Sequence, residues 1–152
     1  MIELNIKIKN ALAKIDFIKR YEAISKMYNE EKTSKDKRLV YIDGEEVMEI
    51  IKDLGYSSEF EFKEKFYKIE EKIDKYTFAF HIILEAGLVD LVWVVKEGKE
   101  LLLGAPWGTY SRRMINPNYR IKKPIIGSYD DLEEILKVAF TMYEEFKKAI
   151  IE

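Results

Sequence analysis

The feature that most constrains the fold is a run of strand-like segments separated by two tight turns near the middle of the chain. In Tyr76–Glu85, apolar residues alternate with more polar ones, which is the period of a strand with one buried face. The turn sequences Ala86-Gly87 and Glu97-Gly98-Lys99 bracket Leu88–Lys96, which is apolar on both faces, as in a central strand covered from two sides. With a third strand at Glu100–Leu103, the pattern predicts an antiparallel β-meander.

The N-terminal region shows helical spacing of apolar residues. From Leu4 to Tyr28 these residues recur three or four positions apart, with neither glycine nor proline before Gly44. We therefore predict one long amphipathic helix over about residues 4–29, followed by a polar loop. Residues 2–9 also alternate with the period of a strand, so a strand remains the alternative there.

Between the N-terminal helix and the meander the pattern is mixed. Leu39–Ile42 is a short strand candidate, and residues 43–55 have the capping residue and the terminal glycine of a helix. Residues 57–75 fit either a helix with an aromatic face or the first arm of a hairpin that closes at Asp74-Lys75. We favour a strand at residues 64–71, because a hairpin partner follows directly.

Beyond the meander the sequence predicts extended chain and then a helix. Gly104–Arg113 has the composition of a turn, and Thr109–Ile115 is assigned to a strand or extended segment. Pro124 keeps Tyr119–Ile126 extended and suggests an edge strand. A terminal helix begins at Ser128, where a capping side chain and several carboxylates favour a helix N-terminus.

Length and composition limit the fold class and exclude several functions. The 152 residues are 47% hydrophobic and 36% charged, which favours one globular domain spanning residues 1–152. Without cysteine, disulfides and thiolate metal sites are excluded. No apolar run approaches a bilayer span, and no signal peptide is present, so we expect a cytoplasmic protein that does not bind a membrane. The predicted fold is α+β, an antiparallel sheet of four to six strands with N-terminal and C-terminal helices packed on it.

The sequence offers little for catalysis. His81 is the only histidine, so a general base or a serine–histidine pair would have to use it, with Glu85 or Asp90 as the nearest carboxylates in the meander. Its position within a strand is more typical of a packed, hydrogen-bonded side chain than of a catalytic one. Neither a phosphate-binding loop nor a metal-binding motif occurs, and we predict no catalytic residues, no metal and no cofactor. A small hydrolase that relies on His81 is the least favoured alternative.

A basic and aromatic patch follows the meander. Residues 112–123 carry five basic residues and no acidic one, and aromatic residues lie among them. Arginine beside tryptophan and tyrosine suits either a protein interface or stacking and phosphate contact in a nucleic acid. A net charge of −2 favours the protein partner, although a solvated loop without any partner fits the pattern as well. The candidate partner-binding residues are Trp107, Tyr110, Arg112, Arg113, Tyr119, Arg120, Lys122 and Lys123.

The C-terminal half resembles the small bacterial immunity proteins of polymorphic and contact-dependent toxin systems. The resemblance is carried by the meander FAFHIILEAGLVDLVWVVKEGKELLLG, the turn GAPWGTYSRR and the ending RIKKPIIGSYDDLEEILKVAFTMYEEFKKAI, and it is one of layout. It implies a cytoplasmic binding protein that blocks a cognate toxin without doing chemistry. The expected function is therefore a non-enzymatic protein-binding module of the immunity type, with a nucleic-acid or phosphate-ligand binding protein using the Arg112–Lys123 patch as the alternative.

Overall fold

The computed structural model describes residues 3–152, which form one five-stranded antiparallel sheet and five helices. The strands lie side by side in chain order, each antiparallel to the next, so the predicted α+β meander is confirmed. The strands are β1 Glu59–Glu61, β2 Phe66–Ile73, β3 Tyr76–Glu85, β4 Leu88–Glu97 and β5 Glu100–Pro106. The helices are α1 Ile6–Lys14, α2 Phe17–Met27, α3 Gly44–Asp53, α4 Trp107–Met114 and α5 Tyr129–Ile151.

Tight turns join β2 to β3, β3 to β4 and β4 to β5. The strand interpretation of residues 64–71 is confirmed, because β2 pairs with β3 through the turn at Asp74-Lys75. At the next turn, Gly87 has a φ of 77°, and a Cβ built there would lie 2.6 Å from the Arg38 Cβ. Only glycine satisfies both the backbone angle and the close approach of the Arg38 side chain at this position.

The predicted single N-terminal helix is divided into α1 and α2, which corrects both interpretations of that region. The backbone of Asp16 adopts the left-handed conformation, with a φ of 56°. Ile15 and Phe17 flank this break and are both buried, whereas a continuous helix would point positions two residues apart in nearly opposite directions. The break therefore lets both side chains enter the core. The strand alternative is wrong from Ile6 onward, and its first residue, Ile2, lies outside the described residues.

The region before the meander contains one confirmed helix and one incorrect strand. α3 begins after Asp43, whose carboxylate accepts a hydrogen bond from the Glu45 backbone N–H at 3.0 Å, and Gly55 follows its end with a φ of 99°. Leu39–Ile42 is not a strand. Its Leu39 N–H donates instead to the carbonyl of Ile126 at 2.8 Å, which ties this segment to the chain entering α5.

The chain after β5 is helical where an extended segment was predicted. β5 continues to Pro106, and α4 replaces the expected extended chain of Thr109–Ile115. The helix forms because Trp107, Tyr110 and Ser111, which are three and four positions apart, lie on one face that the core buries.

The last two segments of the chain, the extended segment near Pro124 and the C-terminal helix α5, have the structure that the sequence predicted. The prediction of extended chain near Pro124 is confirmed over a short length. Ile125 makes a single antiparallel bridge to Leu88, the first residue of β4. The terminal helix is confirmed too, with the Ser128 hydroxyl accepting from the Asp131 N–H at 3.1 Å.

The hydrophobic core lies on one face of the sheet. Along β4 the odd-numbered residues are buried, and the Trp93 ring stacks on Phe146 of α5 with 4.6 Å between ring centroids. The even-numbered residues of β4 are only half-buried, so the expectation that this strand is covered from two sides is wrong. We call the uncovered side, which includes Ala79, His81, Val92 and Val94, the open face.

Candidate functional site

Two of the predicted partner-binding residues belong to the core. Trp107 and Tyr110 are both 0% exposed. The Trp107 ring meets the rings of Phe17, Tyr21 and Trp93 at centroid distances of 5.1, 5.2 and 5.0 Å. Such edge-to-face packing is typical of a well-ordered aromatic core. Neither side chain has surface to offer a partner, so their assignment as partner-binding residues is corrected.

Tyr110 has a structural task that explains its burial. Its hydroxyl accepts from the Trp93 N–H at 3.0 Å and donates to the Trp93 carbonyl oxygen at 2.7 Å. These two backbone groups belong to β4 and lie opposite Ala105, near the end of β5, where the chain leaves the sheet for α4. Burial raises the pKa of the Tyr110 hydroxyl, which therefore stays protonated and able to donate. Tyr110 thus supplies hydrogen bonds to the backbone N–H and carbonyl oxygen of Trp93, and these bonds fix α4 against β4.

The two arginines of α4 lie at the surface of the protein, on a helix that Trp107 and Tyr110 hold against the core. Arg112 and Arg113 are half-buried, and the Arg112 guanidinium donates to the Thr109 hydroxyl at 3.2 Å. In the following loop Arg120 is exposed and donates to the Pro117 carbonyl oxygen at 2.8 Å. Within residues 3–152, none of these three arginines forms an ion pair with a carboxylate. We call residues 112–120 the arginine segment.

The two lysines at the end of the patch are already paired. Lys122 Nζ lies 3.3 Å from a carboxylate oxygen of Glu30, and Lys123 Nζ lies 3.4 Å from one of Asp90. The backbone is held as well, because the Ser25 hydroxyl donates to the Lys122 carbonyl oxygen at 2.6 Å. Acids distant in sequence therefore pair with both lysines, and the Lys122–Glu30 pair is the weaker one, because its side chains are 85% and 63% exposed.

The Tyr119 hydroxyl also forms a hydrogen bond within the chain. It donates to the Glu22 carboxylate of α2, which raises the Tyr119 pKa. The ring is half-buried, and the neighbouring Ile115 is 50% exposed. The surface available to a partner in this region therefore combines three unpaired guanidinium groups with an exposed aliphatic side chain.

His81 lies on the open face and is not joined to the carboxylates that a hydrolase would require. Its ring stacks on Phe66 at a centroid distance of 4.1 Å. Burial and, to a smaller extent, the charge of Lys68 lower the His81 pKa. In the part of the chain that the structure describes, His81 makes no hydrogen bond to Glu85 or Asp90, and Asp90 is engaged by Lys123. The histidine is a packed surface residue in this arrangement.

The cavities contain no catalytic constellation. An open cleft of about 800 Å³ lies beside α3 and is lined by residues that include Glu45, Glu49, Lys52 and Tyr56. His81 is not among its lining residues. Among residues 3–152, no group of three or more histidine, aspartate or glutamate side chains is placed to hold a metal ion.

Sequence reasoning missed a buried lysine between α5 and β2. Lys147 is 4% exposed, and its Nζ lies 2.7 Å from Glu71 and 2.9 Å from Glu144. The same Nζ lies 4.4 Å from the centre of the Tyr143 ring. A signal existed, because position 147 falls on the apolar stripe between Tyr143 and Ile150. The pairing carboxylates made the burial possible, and the cluster holds α5 on the sheet.

Similarity to known proteins adds nothing to this geometry. No family model, curated protein or solved structure matches the chain. In the described part of the chain, the helices are all too short or too polar to cross a membrane.

Proposed function

We propose that this chain is a non-enzymatic protein-binding module, an inhibitor of the immunity type, and that its partner contacts the arginine segment. The observation that carries the proposal is the lack of any carboxylate partner for Arg112, Arg113 and Arg120 in the described chain. Nearby cations of the same patch are neutralised from within, so these three are the charges left for another molecule.

The physical character of the arginine segment suits an acidic protein surface. A guanidinium group binds a carboxylate through two parallel hydrogen bonds, and arginine is enriched among the residues that dominate interface energies. The exposed Ile115 adds apolar area beside these charges. Because Trp107 and Tyr110 fix α4 to the core, little side-chain and backbone freedom is lost when a partner binds.

A phosphate ligand or a nucleic acid is the alternative occupant of the same segment. Of the five basic residues between Arg112 and Lys123, two are paired with Glu30 and Asp90, which lowers the positive charge available to a polyanion. A protein that presents a compact group of carboxylates needs fewer cations. The remaining three arginines therefore favour the protein partner.

The proposal is tested by reversing the charge of the arginine segment. A triple variant, Arg112→Glu with Arg113→Glu and Arg120→Glu, is compared with a control that carries Lys19→Glu, Lys52→Glu and Lys137→Glu. The control makes the same number of charge reversals, at exposed lysines on α2, α3 and α5. Binding is measured by calorimetry against the product of the adjacent gene, and growth is measured when that product and each variant are expressed together.

We expect the wild type and the control to bind the gene product and to restore growth. The triple arginine variant should bind about 100-fold more weakly or worse, a loss of about 2.8 kcal/mol or more, which one or two arginine anchors of about 2 kcal/mol each supply. A triple variant that binds and protects like the wild type contradicts the proposal, as does a wild type that neither binds nor protects. Binding of a phosphate-rich polymer with a steep salt dependence would support the alternative instead.

A further inference from the structure

The open face of the sheet has an apolar centre. Its middle consists of two adjacent cross-strand pairs, His81 with Val92 and Ala79 with Val94. On the opposite side of the same strands, Phe80 and Trp93 are 0% exposed beneath the helices. The open face therefore presents two half-buried valines and His81 around Ala79, which is 7% exposed among its neighbours, and no helix lies over them in the described chain.

Charges of opposite sign lie at the two ends of that strip. At one end Lys72 and Lys96 flank Thr77 in a single cross-strand row. Both lysines are exposed, and neither forms an ion pair within residues 3–152. At the other end the row through Phe66 is bounded by carboxylates, with Glu61 paired to Phe66 on β1 and Asp90 on β4. Asp90 also forms the ion pair with Lys123, so a lysine of a second copy would share this carboxylate.

The centre of the strip repeats this polarity on a smaller scale. On β2 the neighbouring outward residues are Lys68 and Glu70, whose charged groups lie 2.9 Å apart. Lys68 lies on the side toward the acidic end, and Glu70 lies on the side toward the basic end. On β2 and β4, positive and negative side chains are therefore arranged antisymmetrically about the midpoint of the face, whereas Glu59 of β1, beside Lys68, has no positive counterpart.

This arrangement becomes complementary when the face meets a copy of itself. Consider a twofold axis that lies between the two sheets, parallel to them and perpendicular to the strands, level with the gap between the two central pairs. Rotation about this axis places the second copy face to face with the first and reverses its strand direction. Lys96 of one copy then faces Asp90 of the other, and Lys68 faces Glu70. Lys72 of one copy faces Phe66 of the other. The Glu61 that pairs with that Phe66 lies on the adjacent strand β1, about 4.8 Å to the side, which is the usual spacing between strands. Val92 meets Val94 in the apolar centre.

We propose that the open face is the interface of a homodimer in which two sheets pack face to face about this twofold axis. The contact is isologous, so every favourable charge pair occurs twice. Because burial lowers the His81 pKa, its ring is neutral at neutral pH and suits an apolar centre. The interface is small, and we expect a concentration-dependent dimer with a Kd between about 1 µM and about 1 mM.

A charge-swap experiment tests the proposed geometry. One variant carries Lys72→Glu with Lys96→Glu, and a second carries Glu61→Lys with Asp90→Lys. A control carries Lys52→Glu with Lys137→Glu on the helical side of the molecule. Sedimentation equilibrium gives the association constant of each protein alone and of the two swap variants mixed in equal amounts. Far-UV circular dichroism and thermal melting establish that each variant is folded.

The expected results follow from the pairing. The wild type and the control dimerise, and each swap variant alone associates at least about 10-fold more weakly, because like charges then face each other. The equimolar mixture recovers association, because every reversed charge in one variant meets the opposite charge in the other.

Any of three results would overturn the dimer. These are a wild type that stays monomeric up to about 1 mM, swap variants that dimerise as the wild type does, and a mixture that fails to recover association. A monomeric wild type that binds a different protein through the open face also overturns it. The dimer and the proposed function can still fail separately, because Arg112, Arg113 and Arg120 are unaltered in every variant. Asp90→Lys removes the partner of Lys123, so the Lys72→Glu with Lys96→Glu variant is the one that leaves the whole basic patch intact.

Discussion

The two faces of β4 have similar hydrophobicity and different surroundings. Its odd-numbered residues, such as Trp93 and Val95, are buried under the helices. Its even-numbered residues, such as Val92 and Val94, are half-buried on the open face. Apolar composition alone therefore does not decide which side of a central strand is covered. The difference is made by α5 and the other helices, which all supply their apolar stripes to one side.

The covered face of the sheet and the exposed surfaces have different roles, since the covered face stabilises the fold and the exposed surfaces are accessible for binding. On the covered face, rings of Phe17, Trp93 and Trp107 make mutual contacts that a partner cannot reach. Outside this core, Lys72 and Lys96 of the open face and the three arginines of the arginine segment form no ion pair within residues 3–152. Substitutions on the covered face should therefore change the free energy of unfolding, whereas substitutions on the exposed surfaces should change association.

The largest effect is expected for Trp107→Ala. Removing this fully buried ring leaves a cavity in the aromatic core and should lower the free energy of unfolding by about 3–5 kcal/mol. The matched substitution Val94→Ala on the open face should cost less than about 1.5 kcal/mol, because the side chain is already half-exposed. Urea unfolding of both variants measures the contrast, and equal losses would mean that the open face is as tightly packed as the core.

A smaller effect is expected for Tyr110→Phe, which keeps the ring and removes the hydroxyl. The Trp93 N–H and carbonyl oxygen would lose their partner in a buried environment, at a cost of about 1–3 kcal/mol. Urea unfolding gives the loss, and amide hydrogen exchange should be faster at Trp93 than at the equivalent inward position Val95. Unchanged exchange at Trp93 would show that the hydroxyl does not protect the sheet edge.

The smallest effect concerns the pH dependence contributed by His81. Its folded-state pKa lies below the ordinary value of 6.5, so the unfolded chain binds a proton more readily as the pH falls through that value. Stability from this group is present above pH 6.5 and decreases on acidification toward the folded-state pKa. His81→Gln should flatten this dependence.

The measurement is urea unfolding of dilute wild type and His81→Gln between about pH 7.5 and about pH 5.5, above the range where most carboxylates titrate. His81 is the only histidine, which makes the variant a clean control. A wild type whose stability rises on acidification would contradict the expected sign.

Local sequence patterns predicted much of the scaffold. Alternation and tight turns predicted the meander, and capping residues predicted the starts of α3 and α5. These features depend on interactions between residues a few positions apart, which is why they are visible in the sequence. The same holds for β2, where the nearness of a hairpin partner favoured a strand over a helix.

The sequence was less informative about the candidate site. It identified the segment that contains Arg112, Arg113 and Arg120, but an absence of local acids made Lys122 and Lys123 look equally free. Their partners Glu30 and Asp90 come from α2's C-terminal loop and from β4. Pairing over such distances leaves no periodic trace, so only the folded chain shows which cations are neutralised.

The sequence by itself determined the α+β meander, its turns and the location of the basic and aromatic segment. Only the tertiary structure decided that the N-terminal helix breaks at Asp16, that α4 buries Trp107 and Tyr110, and that Lys147 enters the core. The physical reason is common to all three. Each depends on which surface the rest of the chain brings against the residue, and burial against a distant surface outweighs local propensity.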